Sequence, residues 1–289
     1  MNYYSAWGVR FSCNTPLEGL YCTQTENNPQ LSIHSSTTKN LPKSDALIFE
    51  SYECVHIHIK DIAKITIQTQ SIIAEFGHNH PPSPFLTGRA IALWLELHEH
   101  TMLHGNSLHL NNKNIALLGP SGSGKSTLTA QLIIGGAHLI NDDLIAISEK
   151  NPDKIHAGST ALRLWPDSLP QQWLPQDKWP KVHPLETKLR VSLKQYVLPT
   201  KKSTLHAIII LDRKEGEHPI ELNLLSPANA LLETYAQGYQ PATINQLKRE
   251  KRRLQIISTL LSTVPVYMLS YPDGKQHFKQ ITDLIQGIS

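Results

Sequence analysis

The chain has 289 residues, 40% of them hydrophobic and 18% charged, with a formal net charge of +3. That composition suits a globular protein with room for one sizeable domain and a smaller one. So weak a positive balance gives no ground for a nucleic-acid or membrane-surface partner, and no apolar run approaches the roughly 20 residues of a membrane span.

Residues 1–7 show neither a basic stretch nor an apolar one, so no secretory signal is read there. Cys13, Cys22 and Cys54 are odd in number and lack metal-ligand spacing, which points to a reducing, cytoplasmic setting. Val55, Ile57 and Ile59 alternate with His56, His58 and Lys60, and Ile65 and Ile67 alternate with polar neighbours. A period of two predicts half-buried antiparallel strands. Residues 1–84 are therefore read as a small β-rich domain with long polar loops such as 24–43, closed by Pro81, Pro82 and Pro84. The histidine pairs His56/His58, His78/His80 and His98/His100 find no cysteine or third-ligand pattern, and are read as solvated.

Leu86, Ala90, Leu93, Trp94 and Leu97 recur with helical spacing over 86–100. Residues 103–110, the turn-prone 111–114 and the apolar run 114–118 then predict a hairpin leading into a loop. That loop, 119–126, reads Gly-Pro-Ser-Gly-Ser-Gly-Lys-Ser, a full Walker A motif. Gly119, Gly122 and Gly124 allow successive amides to curl around phosphate oxygens, with Ser121 and Ser123 between them. Lys125 brings a charge to the β- and γ-phosphates, and Ser126 ligates Mg²⁺. Thr127 opens a helix over 127–134 that Gly135-Gly136 ends, so phosphate meets a helix N-terminus.

Centring the hairpin turn between Asn112 and Lys113 places His104 opposite Ser121. An imidazole there could serve the transferring phosphoryl group, and a structural role is the equal alternative. The short apolar strand 138–141 ends in Asp142-Asp143, carboxylates suited to accepting a hydroxyl proton or holding Mg²⁺. Further on, 205–211 and 264–269 read as strands and 227–235 and 254–261 as helices. The run 208–213 imitates a Walker B strand, with Asp212 expected to cap the strand end. The basic run 248–253 is read as a solvated helix face.

His104-Gly105 before a hairpin, the loop 119–127, and Asp142-Asp143 one helix and one strand later resemble the HPr kinase/phosphorylase family and its shorter HPr-kinase-related proteins, some of which accompany peptide-modification clusters. The segment 162–167, Leu-Arg-Leu-Trp-Pro-Asp, is also similar to the related proteins, so the likeness is good over about 85–170 and loose elsewhere. The resemblance implies an α/β fold of the phosphoenolpyruvate-carboxykinase-like P-loop type over 85–289, a mixed sheet with flanking helices. It further implies Asp142 as general base, His104 beside the γ-phosphate, Lys125 on phosphates, and Ser126 with Asp143 on the metal. Arg163 is read either as a phosphate clamp or as support for a strand edge. The carboxy-terminal glycine-rich signature of the bifunctional enzymes is not evident, which leaves phosphorylase activity and HPr as acceptor outside the expectation.

The sequence thus leads to an ATP- and Mg²⁺-dependent kinase acting on a hydroxyl, most simply a serine of a peptide or small protein. A small-molecule hydroxyl kinase and a non-catalytic ATP-binding module are the alternatives, and self-association into a homo-oligomer is left open.

Overall fold

The computed structural model describes residues 1–23, 28–51, 53–197, 203–274 and 277–288. The amino-terminal part forms an eight-stranded sheet. Its strands are β1 (Asn2–Ala6), β2 (Val9–Cys13), β3 (Cys22–Thr23), β4 (Leu31–Thr37), β5 (Ala46–Ser51), β6 (Cys54–Ile59), β7 (Ala63–Gln68) and β8 (Ser71–Phe76), in the order β3-β1-β2-β4-β8-β7-β6-β5. The period of two holds: Val55, Ile57 and Ile59 are buried, while Cys54, His56 and His58 lie half-buried on the opposite face.

Two expectations need correction. Pairing is not antiparallel throughout, because β4 runs parallel to both β2 and β8. The segment 24–43 is not simply a polar loop either. Residues 24–27 lie outside the described residues, but β4 occupies the middle of the segment and buries Leu31 and Ile33. With only two apolar side chains, that strand carries too short an alternation to stand out among serines and threonines.

The helical stretch comprises α1 (Pro82–Phe85), a π-turn at Leu86–Ala90 and α2 (Ile91–Leu97). Leu86, Ala90, Ile91 and Leu95 pack into one cluster with Ile57, Ile65 and Phe76 of the sheet. The helix stops at Leu97 rather than His100 because His98 leaves helical geometry at φ −116° and ψ 66°. His98 stacks on Trp94, with ring centroids 4.2 Å apart, and Nδ1 hydrogen-bonds the Trp94 carbonyl at 2.7 Å.

The second sheet is built on β9 (His100–Leu110) and β10 (Lys113–Leu118), followed by α3 (Lys125–Ile134), β11 (His138–Asn141) and β12 (Leu144–Ser148). Next come β13 (Lys154–Ile155), β14 (Ala161–Leu164), β15 (Leu189–Ser192), β16 (Ser203–Thr204), β17 (Ala207–Lys214) and β18 (Glu221–Leu224). The chain ends with α4 (Pro227–Ala236), α5 (Pro241–Gln246), α6 (Glu250–Leu261), β19 (Val266–Pro272) and α7 (Phe278–Gln286). Strand order is β11-β9-β10-β17-β19-β18, with β12 also on β9. β10, β17 and β19 are parallel neighbours and the other pairs are antiparallel, so the sheet is mixed, as expected. Leu117, Ile209 and Leu211 face α3 and α7, whereas Leu118, Ile208 and Ile210 face α4 and α6. Covering both faces explains why these strands read as unbroken apolar runs.

The hairpin forms with its turn at Asn111 and Asn112, both left-handed at φ 48° and 62°. Leu118 therefore pairs with Gly105, two residues from the expected register, so His104 stands just before the loop and not opposite Ser121. Gly105 is required there, since a Cβ would lie 2.6 Å from the Leu117 carbonyl oxygen. No helix among the described residues is long and apolar enough to cross a membrane.

The basic run is not wholly solvated. Arg253 is 2% exposed and pairs through Nη2 with Glu96, itself 5% exposed, while also donating to the Tyr239 carbonyl at 2.7 Å. Glu96 Oε1 accepts the Met102 amide at 2.8 Å, so the pair braces β9. Removing one member strands a buried charge. Arg253→Met should cost about 3–5 kcal/mol in denaturant unfolding; a change within experimental error would show that the pair is dispensable.

Candidate active site

β10 ends at Leu118, and the chain turns through Gly119, Gly122 and Gly124 at φ 148°, 85° and 88°. All three need the freedom of glycine. A Cβ on Gly119 would lie 2.7 Å from Ser123 Oγ, and one on Gly124 would lie 2.6 Å from the Tyr271 hydroxyl. Tyr271, at the end of β19, donates to the Ser123 carbonyl at 2.5 Å, and burial pushes its pKa up to about 12. It is thus a permanent donor bracing the loop from below. Ser121 and Gly122 are exposed at the tip, and Ser126 and Thr127 lie half-buried in the first turn of α3. That helix end carries unpaired amides and partial positive charge. Ser123 is turned inward, and its Oγ is buried without a partner among the described residues.

Lys125 is 8% exposed, with Nζ donating to the carbonyls of Gly119 at 2.6 Å and Pro120 at 3.0 Å. Burial lowers its pKa to about 8, against the opposing pull of Asp143 and Asp142. Among the described residues its hydrogen bonds go to neutral oxygens of the loop it serves, an arrangement that an anion can displace.

The carboxylates reach this loop through β9. Because β9 is antiparallel to both β10 and β11, those two strands point the same way and end on one edge of the sheet. Asp142 follows β11 and is 6% exposed. Its Oδ2 accepts the Arg163 amide at 3.0 Å, and its own amide donates to Ser159 Oγ at 3.1 Å. Burial, reinforced by the Asp143 charge, raises its pKa to about 7.

Asp143 takes a left-handed conformation, φ 69°, that aspartate tolerates better than most residues. Its amide donates to Asn106 Oδ1 at 3.0 Å, and Asn106 Nδ2 donates to Thr129 Oγ1 of α3 at 2.9 Å. Asp143 Oδ1 lies 3.4 Å from His104 Nδ1, and Oδ2 lies 3.2 Å from Arg163 Nη1. Burial lowers the His104 pKa although Asp143 works to raise it. The Asp143 carbonyl also accepts from His104 Nδ1 at 3.2 Å, which leaves Nε2 as the free ring nitrogen.

Lys125, Asp142, Asp143, His104 and Arg163 thus form one charged cluster. Asp212 does not cap a strand end as expected: it lies inside β17, which runs on to Lys214, and is tied to Ser270 Oγ at 3.0 Å and Lys214 Nζ at 2.8 Å. Sequence reasoning missed Asn106, Ser159, Tyr239 and Tyr271. Asn106 lies two residues past His104 in the motif region, and the others carry no local signal. A cleft of about 670 Å³ adjoins the cluster, lined by Phe85, Arg89, Arg163, Leu185, Tyr239 and Pro241.

No family model matches the chain. It is 31% identical over 97 residues to an HPr kinase/phosphorylase of Aromatoleum aromaticum, a match spanning 34% of this chain and 31% of that protein. The structure of the Hpr(Ser) kinase/phosphatase from Coxiella burnetii aligns with 64% of this chain and 88% of its own, at 13% identity and a TM-score of 0.34. The chain is HPr-kinase-like in sequence over those 97 residues.

Gly124→Ala forces a Cβ into a left-handed residue and against Tyr271. The strain of about 1–2 kcal/mol should weaken ATP binding roughly tenfold or more by calorimetry; unchanged affinity would show that the loop does not hold the nucleotide.

Proposed function

We propose that this HPr-kinase-like chain is an ATP-dependent, Mg²⁺-requiring kinase that transfers the γ-phosphoryl group to a hydroxyl, with a serine of a peptide or small protein as acceptor. The observation that carries the reading is the convergence of Asp142, poised near pH 7, with the Lys125 phosphate loop. In this reading residues 85–289 form a phosphoenolpyruvate-carboxykinase-like P-loop unit and 1–84 a β-rich companion, working in the cytoplasm.

The residues suit a triphosphate and a hard cation. Three glycines at positive φ open the loop's amides, and Lys125 can exchange carbonyl oxygens for phosphate oxygens. Ser126 and the partly exposed carboxylate of Asp143 offer oxygen donors of the kind Mg²⁺ takes. A cation held there would offset charge on the phosphates.

Asp142 acts as base: above about pH 7 its carboxylate is ionised and can take the acceptor's proton as the oxygen attacks the γ-phosphorus. Arg163, through its amide, fixes one Asp142 oxygen and leaves the other for the acceptor. His104 and the Arg163 side chain hold Asp143 in place, and in this reading the imidazole of His104 serves the phosphoryl group. The adjoining cleft falls within the usual range of about 300–1,000 Å³ for ligand sites, and its Phe85, Leu185 and Pro241 walls favour an acceptor with apolar neighbours.

The test is transfer from labelled ATP-Mg²⁺ to a library of serine peptides. Asp142→Asn should keep ATP binding within a few-fold and lower transfer by about 10²–10⁴-fold. Lys125→Ala should abolish transfer, having lost a charge-assisted contact that no neighbour replaces. Equal transfer by wild type and Asp142→Asn would contradict the mechanism, and binding without any transfer would favour an ATP-dependent regulatory module.

The two displaced pKa values also set a pH dependence. A base is gained as pH rises through about 7, and the Lys125 ammonium is lost through about 8. The kcat/KM profile should therefore be a narrow bell between those values; a plateau from pH 5 to 7 would exclude Asp142 as base.

A further inference from the structure

The outward face of the amino-terminal sheet gathers three metal-ligating side chains at its β5–β6 edge, far in sequence from the phosphate loop. Cys54 and His56 are two residues apart on β6 and share the face opposite the buried Val55 and Ile57. Glu50 comes from β5, within the register irregularity between Phe49 and Ser51, and a bulge re-aims side chains in this way. Cys54 Sγ lies 3.6 Å from His56 Nε2, which lies 3.2 Å from Glu50 Oε2, and all three ligand atoms fall within 4.8 Å of one another.

The first two of those separations match a shared ion. Bonds of about 2.3 Å to sulfur and about 2.0–2.1 Å to nitrogen and oxygen, at tetrahedral angles, require S···N of about 3.5 Å and N···O of about 3.3 Å. The imidazole is also oriented for the purpose. His56 Nδ1 is 3.0 Å from Oγ1 of Thr66, its direct cross-strand partner on β7. A proton on Nδ1 donated to Thr66 leaves the Nε2 lone pair facing Cys54 and Glu50, as an outer hydrogen bond does in metal-bound histidines.

We infer that Glu50, Cys54 and His56 form a zinc-class divalent-cation site with three protein ligands and a fourth position for water or an added ligand. A thiolate and an imidazole select zinc-like ions over Mg²⁺, so this site is chemically separate from the phosphate loop. A cation there ties the edge strand β5 to β6. Because the sulfur ligates as a thiolate, binding releases the thiol proton and weakens as pH falls.

The probe is Co²⁺, added to the full chain after chelator treatment and followed by absorbance. One equivalent should give tetrahedral visible bands and a thiolate–cobalt charge-transfer band, all displaced by one equivalent of Zn²⁺. Cys54→Ser and His56→Gln, both on the outward face, should each abolish the thiolate band while the circular dichroism melt stays cooperative. Thr66→Val should weaken Zn²⁺ binding about 10–100-fold. Absence of the band in the wild-type chain would overturn the inference, showing that the three groups serve only as hydrogen-bond partners. A band that survives Cys54→Ser would overturn it as well, by assigning the sulfur to Cys13 or Cys22.

Discussion

Two neighbouring carboxylates, Asp142 and Asp143, cannot both carry full charge in a partly buried site without compensation, and the surrounding architecture answers that constraint. Arg163 and His104 flank the two oxygens of Asp143. Asp142 is buried beside it, and the combined effect of desolvation and its neighbour's charge holds its proton up to about pH 7. Asp143 is thereby anchored by the Arg163 and His104 side chains, and Asp142 becomes a proton acceptor near neutrality. Pairs of titratable groups driven apart by environment commonly divide acid–base labour in this way.

β9 makes this possible. It pairs with β12 over 100–104 and with β11 over 107–109, and the two aspartates occupy the interruption between those partners. Gly105 and Asn106 hold the gap open by receiving the backbone of Asp143: the Gly105 amide donates to the Asp143 carbonyl at 3.2 Å, and Asn106 takes the Asp143 amide. Along 105–110 the other edge of the same strand pairs with β10, which carries the phosphate loop. A single strand thus sets the distance between phosphate grip and base. The buried Glu96–Arg253 pair fixes its beginning, and Trp7 of the amino-terminal sheet region donates to the Leu144 carbonyl just past the aspartates at 3.2 Å.

What could be read from residues alone followed from how local each signal is. The phosphate loop was legible because its glycines, lysine and serine must stand at fixed spacing, and the structure gives Gly119, Gly122 and Gly124 the positive φ they are needed for. The hairpin was legible from two asparagines, yet its register slipped by two because the turn centres between Asn111 and Asn112 and not between Asn112 and Lys113. β4 was hidden by having only Leu31 and Ile33 to mark it. Tyr271 and Arg253 were invisible as supports because their partners lie 148 and 157 residues away. The grouping of Cys54 and His56 with Glu50 was not legible, because Glu50 comes from the adjoining strand and leaves no spacing in the sequence.

The central claim is that Asp142, buried beside Asp143, holds its proton until near neutrality. Carboxyl-carbon NMR titration of the nucleotide-free protein, with Asp142→Asn to assign the signal, measures this directly. The account predicts a transition for Asp142 near pH 7. A midpoint near the ordinary aspartate value of about 3.9 would contradict it.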